Sequence, residues 1–234
     1  MNRITSGIAA GALSLAMAVQ GAHAQGTPTN KDVKPGERMS FFVTSVGLGK
    51  GGNLGGLAGA DAHCQKLAAA AGFGNTTWRA YLSTQGAGAV NARDRIGTGP
   101  WYNAKGNLMA ENQSQLHGDT REEALASNRM FILYAQDEKG NLVPSVNAKP
   151  NKHDMLTGSQ PDGRAFTDAS VDKTCKNWTS DADKAGSAQV GHHDRSGGPN
   201  TSWNSAHATP GCSQANLQSV GGDGLFYCFA PDVK

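Results

Sequence analysis

Four cysteines, Cys64, Cys175, Cys212 and Cys228, lie scattered through a chain that carries 31 glycines, and nothing else in the sequence restricts its folding as much. Every glycine gives up more backbone freedom on folding than another residue would, so a chain this rich in them needs ties beyond an ordinary core. An even number of cysteines supplies those ties as two disulfides when the chain matures in an oxidising compartment. Four cysteines allow three pairings, and their spacing does not choose among them. Bridges closing loops of this size contribute roughly 4 to 5 kcal/mol each through chain entropy. A four-cysteine zinc site would use Cys-x-x-Cys pairs, which are absent.

The N-terminus points to export. Arg3 precedes an apolar stretch from Ile8 to Val19, and Ala22-His23-Ala24 follows as a small-x-small cleavage site. Residues 1–24 therefore read as a signal peptide, with periplasmic or secreted localisation as the expectation. No later segment is apolar for long enough to cross a bilayer, so no transmembrane segment is expected in the mature chain. The formal charge of +2 includes Arg3, and the Lys and Arg residues form no cluster, which argues against nucleic acid as a partner.

Residues 25–38 are polar, contain Pro28 and Pro35, and read as a flexible lead-in to one domain over 39–230, with 231–234 as a tail. Met39 to Val46 is rich in β-branched and aromatic residues and predicts a strand. Leu57, Ala60, Cys64, Leu67, Ala68 and Ala71 recur at helical spacing up to a stop at Gly72. Trp78 to Ser83 alternates as a half-buried strand would. Thr120 and Glu123 have capping-box spacing for a short helix over Asp119–Ala126. Met130 to Tyr134 and Leu225 to Ala230 predict two further strands. Val146 to Gly224 is so polar that its order must come from Cys175, Cys212 and the two tryptophans inside it.

Motifs of catalysis are missing: there is no G-x-S-x-G, no H-E-x-x-H and no spare cysteine once two bridges form. Gly47-Leu48-Gly49-Lys50-Gly51-Gly52 matches a dinucleotide fingerprint, but no acidic residue ends the next strand to hold a ribose, so it reads as a turn. His192-His193-Asp194 is the densest group of metal-ligand types. Neighbouring side chains on an extended segment diverge, so at most one of the histidines joins Asp194 at one ion, and a solvated loop is the simpler reading. His153 and Asp154 read as turn-forming. Gln160-Pro161-Asp162 offers a carboxamide and a carboxylate on one rigid edge, a set suited to Ca2+. Its simpler reading is a Pro-Asp-Gly turn completed by Gly163.

Taken in order, these pieces resemble the C-type lectin-like superfamily, and more closely its bacterial branch related to endostatin. The resemblance rests on Gly55 to Cys64, Trp78 to Ser83, Leu156-Thr157-Gly158, Gln160-Pro161-Asp162, Cys175 to Thr179, Trp203-Asn204-Ser205 and Leu225 to Phe229, and spans nearly the whole mature chain. It implies an α+β, C-type lectin-like or endostatin-like domain with a long loop region and nested bridges Cys64–Cys228 and Cys175–Cys212. It further implies a Ca2+ site in which Gln160, Asp162 and Asn204 match the ligands, while Ser205 stands where a carboxylate is needed and weakens the site. The resulting expectation is a non-enzymatic, lectin-like binding protein for a glycan or cell-surface ligand. Gln160, Asp162, Trp178, Trp203 and Asn204 form its candidate binding face, and Gln160, Asp162, Asn204, His193 and Asp194 are its candidate metal ligands. A protein-binding adhesin of the same fold, or an enzyme akin to sulfatase-modifying relatives with reactive cysteines, are the alternatives.

Overall fold

The computed structural model describes Met1 and residues 32–118 and 127–233. The signal peptide expected over 1–24 and the helix expected over Asp119–Ala126 lie outside the described residues.

The organising strand is β8, Gly222–Phe229, the longest among the described residues. Its side chains alternate between two cores. Leu225, Tyr227 and Phe229 enter one, while Phe226 and Cys228 enter the other. This is the period-2 signature of a strand buried on both faces. The β1 strand, Phe41–Val43, pairs antiparallel with β8, placing Phe41 opposite Phe229 and Val43 opposite Tyr227. The same alternation sends Phe42 to one core and its neighbours to the other. β2, Arg79–Ala80, also pairs with β8, at Phe229 and Cys228.

Helix α1, Gly56–Ala70, buries Ala60, Cys64 and Ala68, the face that the periodicity predicts. Small residues let the helix lie close enough for Cys64 to reach Cys228, with Cα atoms 5.7 Å apart. The other bridge joins Cys175 to Cys212, Cα atoms 5.6 Å apart. The nested pairing implied by the resemblance is therefore the one present, and no cysteine is free. By loop entropy the longer closure contributes about 5 kcal/mol and the shorter about 4.

The rest of the sheet comes from the polar segment expected to be mostly loop. β5, Asp154–Leu156, runs parallel to β8. β6, Gln189–His192, is antiparallel to β5, and β7, His207–Ala208, pairs with β6 at the outer edge. The order is thus β1-β8-β5-β6-β7, a mixed sheet in an α+β fold. A separate hairpin pairs β3, Trp101–Tyr102, with β4, Leu108–Ala110. Short helices α2, Gln113–His117, and α3, Gln214–Gln218, each begin at a polar cap, Asn112 and Ser213.

Three expectations need correction. Met130 to Tyr134 is a series of local turns, closed by Tyr134 N–H and Ala135 N–H to the Phe131 carbonyl, rather than a strand. Tyr81 and Ser83 are buried along with Trp78, Ala80 and Leu82, because this segment runs between two cores and only Arg79 meets solvent. Part of the lead-in is held in place: Asp32 pairs with Arg129 at 2.9 Å, and Val33 N–H donates to the Gly106 carbonyl. Among the described residues, no helix is long and apolar enough to cross a membrane.

Candidate metal centre

Register brings the site together. Asp154 on β5 lies directly opposite His192 on β6, and His207 on β7 lies opposite Val190, two residues along β6 from His192. Side chains two apart share a face of a strand, so three neighbouring strands aim Asp154, His192 and His207 at one place. His153 joins them from the residue before β5, just ahead of the β5–β8 register shift between Asp154 and Met155. Glycine makes the approach possible at two points. A Cβ on Gly221 would fall 2.9 Å from His153 Cδ2, and one on Gly191 would fall 1.9 Å from the Trp203 carbonyl oxygen.

The geometry centres on one carboxylate. His153 Nε2 lies 3.2 Å and His192 Nε2 3.3 Å from Asp154 Oδ1, and His207 Nε2 lies 3.4 Å from Asp154 Oδ2. Ligand atoms of His153, Asp154 and His192 all fall within 4.8 Å of one another. The His153 and His192 rings stack at 4.3 Å, and His207 meets His192 edge-on at 5.1 Å. Asp154 is only 2% exposed. Despite these short approaches, none of the contacts is aligned as a hydrogen bond. Among the described residues, neither Asp154 oxygen and neither His192 nitrogen has a hydrogen-bond partner. Buried polar atoms are nearly always satisfied, so a cluster of orphans marks a candidate binding place.

The outer contacts fix which nitrogen faces inward. His153 Nδ1 lies 3.2 Å from Asp194 Oδ1, and His207 Nδ1 lies 3.2 Å from the Ala208 carbonyl. Each acceptor takes an Nδ1–H, so in the neutral ring the Nε2 lone pair points at Asp154. Asp194 is itself held, accepting from Val146 N–H at 2.8 Å and Ser196 N–H at 3.0 Å. A carboxylate behind a histidine is the usual way a metal-binding imidazole is oriented. Burial pushes the Asp194 carboxyl up, but the His153 contact and the two backbone N–H donors outweigh it and hold it near 2. Asp154 likewise sits below the ordinary carboxylate value, because contacts from His192 and His207 overcome the effect of burial. His207 is raised by its Asp154 contact. Together His153, Asp154 and His192 could hold a divalent ion.

The residues singled out in the sequence are distributed otherwise. Asp194 stands behind the centre rather than in it. His193 points away, buried, with Nε2 3.3 Å from the Pro144 carbonyl, and burial pushes it below the usual histidine value. The divergence of neighbouring side chains holds, but His192 is the inward one. His153 and Asp154, read as a turn, are a buried pair at the head of a strand.

Gln160, Asp162 and Asn204 do come close to one another, and each already makes a hydrogen bond or ion pair within the protein. Asn204 Nδ2 donates to Tyr81 Oη at 2.9 Å and to the Pro161 carbonyl at 3.0 Å, and its Oδ1 accepts from Ser202 Oγ. The Gln160 amide donates to the Ala165 carbonyl, and Asp162 pairs with Arg164 at 2.5 Å. Trp178 and Trp203 are core residues at 0% and 2% exposure and present no face to a ligand. Trp178 Nε1–H donates to the Ser83 carbonyl from a turn, Cys175–Trp178, whose residues are all left-handed. The signal that sequence reading passed over was histidine clustering, since four of the seven histidines fall between positions 153 and 207.

In sequence comparisons, no protein-family model matches the chain and no curated protein is significantly similar to it.

Proposed function

We propose that this chain is an exported, metal-dependent binding domain of the lectin-like kind, with its ion centre at His153, Asp154 and His192. One observation carries the proposal: the buried Asp154 carboxylate faces the Nε2 atoms of His153, His192 and His207, and the outward Nδ1 of both His153 and His207 is already anchored. At His153 and His207, where the Nδ1 anchor leaves a bare Nε2, two lone-pair acceptors 3.2 to 3.4 Å apart repel each other unless a proton or a metal cation lies between them, and a divalent ion removes that repulsion at both contacts at once. Imidazole nitrogen favours zinc-type ions, whereas Ca2+ prefers six to eight oxygens. The spacing agrees with that preference, because ligands at zinc bond lengths on a tetrahedron lie roughly 3.3 Å from each other. The ion suggested by Gln160, Asp162 and Asn204 is thus replaced by a zinc-type ion at a different place.

The nested bridges and the ordered segment 193–206 beside the centre support a binding module over an enzyme. A glycan or other cell-surface ligand reaching that segment is the partner that follows. Calorimetric titration of chelator-stripped protein should give one Zn2+ per chain and little response to Ca2+. Retention of no Zn2+ after dialysis would refute the centre. A glycan array probed with and without Zn2+ tests the ligand class, and silence in both states would remove the lectin-like half alone.

A further inference from the structure

We infer that His207 is the fourth ligand of this centre, so that the bound ion closes a His3Asp tetrahedron and fastens the free edge of the sheet. The inference rests on the metal centre proposed above and deepens it. Three strands supply the four side chains, in the spatial order β5, β6, β7. β7 is two residues long and pairs only with β6, so its backbone ladder is short and holds the outer edge weakly. His207 Nε2 stands 3.4 Å from Asp154 Oδ2, while the shortest approaches of His153 and His192 are to Oδ1, so His207 comes to the centre from outside the trio whose ligand atoms lie within 4.8 Å of one another. The Nδ1 contact with the Ala208 carbonyl turns that nitrogen inward. Four protein donors leave no coordination position for water, which makes the site a structural clamp and not a hydrolytic centre.

Exposure separates His207 from the other three. Its side chain is 37% exposed, against 5% or less for His153, Asp154 and His192. His207 is therefore the solvent-side wall of the centre, and β7 ends the segment 193–206 that begins at β6. An ion held from β5, β6 and β7 fixes both ends of that segment. Occupancy thereby sets the shape of the surface offered to a ligand.

Cobalt(II) reports the geometry, because four-coordinate tetrahedral Co2+ absorbs strongly in the visible and higher-coordinate Co2+ does so weakly. The full chain loaded with Co2+ should show the intense bands and ignore added imidazole. His207→Ala should lower ion affinity at least about tenfold, since loss of even an outer-shell partner costs that much. Its bands should weaken as water enters, and added imidazole should restore them. Zn2+ should slow backbone hydrogen exchange over 193–206 in the wild type and not in the variant. His207→Gln, which keeps a polar side chain at the edge, should behave like His207→Ala. Wild-type affinity and spectrum in both variants would overturn the fourth ligand while leaving the three-residue centre intact. Failure of the wild type itself to take up Co2+ or Zn2+ would overturn the centre and this inference together.

Discussion

Two buried polar clusters in this molecule satisfy their atoms in opposite ways. Around Tyr81, the Asn204 amide donates to the phenol oxygen, Tyr81 Oη lies 2.8 Å from His117 Nε2, and His117 Nδ1 lies 3.2 Å from the Gln113 carbonyl. Burial holds the Tyr81 hydroxyl protonated, so it donates to a neutral imidazole, and the chain of donors runs in one direction. Around Asp154 histidines again converge, here on a carboxylate and without forming such a chain. A satisfied cluster is architecture. An unsatisfied one, with two of its imidazoles oriented from behind, could hold a cation. Composition does not tell them apart, since both contain histidine and a neighbouring aspartate.

The sharpest way to break this contrast is to remove one carboxylate from each side. Asp154→Asn should lower Zn2+ affinity by more than about a hundredfold, beyond the usual loss for an outer-shell partner. Asp162→Asn should leave affinity within about twofold, a small change for a group outside the ligand set. Calorimetry on the two variants decides it, and the reverse pattern would return the site to the Gln160 segment.

Acid should attack the satisfied cluster next. Burial lowers His117 from 6.5 to about 4. Between those values the unfolded chain binds a proton that the folded chain refuses. The stabilisation is therefore complete above pH 6.5 and drains away as pH falls toward 4, by about 3 kcal/mol in all. Urea unfolding across that range should show a flatter pH dependence for His117→Gln than for the wild type. Parallel slopes would mean that His117 is not held neutral.

Tyr81→Phe sharpens the comparison at smaller cost. It removes the hydroxyl that links Asn204 to His117 and leaves His117 Nε2 without its donor, a loss of about 1 to 2 kcal/mol. Zn2+ uptake should be unchanged, because the two clusters share no ligand atom. Smallest of all, the Asp162–Arg164 pair is exposed on both sides, and breaking it should move stability by less than about 1 kcal/mol in chemical denaturation.

Much of the scaffold was legible because its signals are local. The helical spacing of Ala60, Cys64 and Ala68 and the aromatic run at β8 each lie within one element, and each folded as its period requires. Met130 to Tyr134 misled because its composition suits a strand, yet its N–H groups bond to carbonyls a few residues back. The candidate site was harder to read for a different reason. Gln160, Asp162 and Asn204 were chosen because a compact triplet is visible in sequence, while Trp178 and Trp203 proved to be the anchors of the polar segment that surrounds them.

What the sequence determined by itself is the need for two cross-links, the helix that carries one of them and the central strand with two apolar faces. These follow from residue counts and short periods, which are properties of the chain before it folds. The pairing of the cysteines and the meeting of His153, Asp154, His192 and His207 were decided only in three dimensions. Apart from the adjacent His153 and Asp154 they lie far apart along the chain, and strand register, which no spacing encodes, brings Asp154, His192 and His207 to one face.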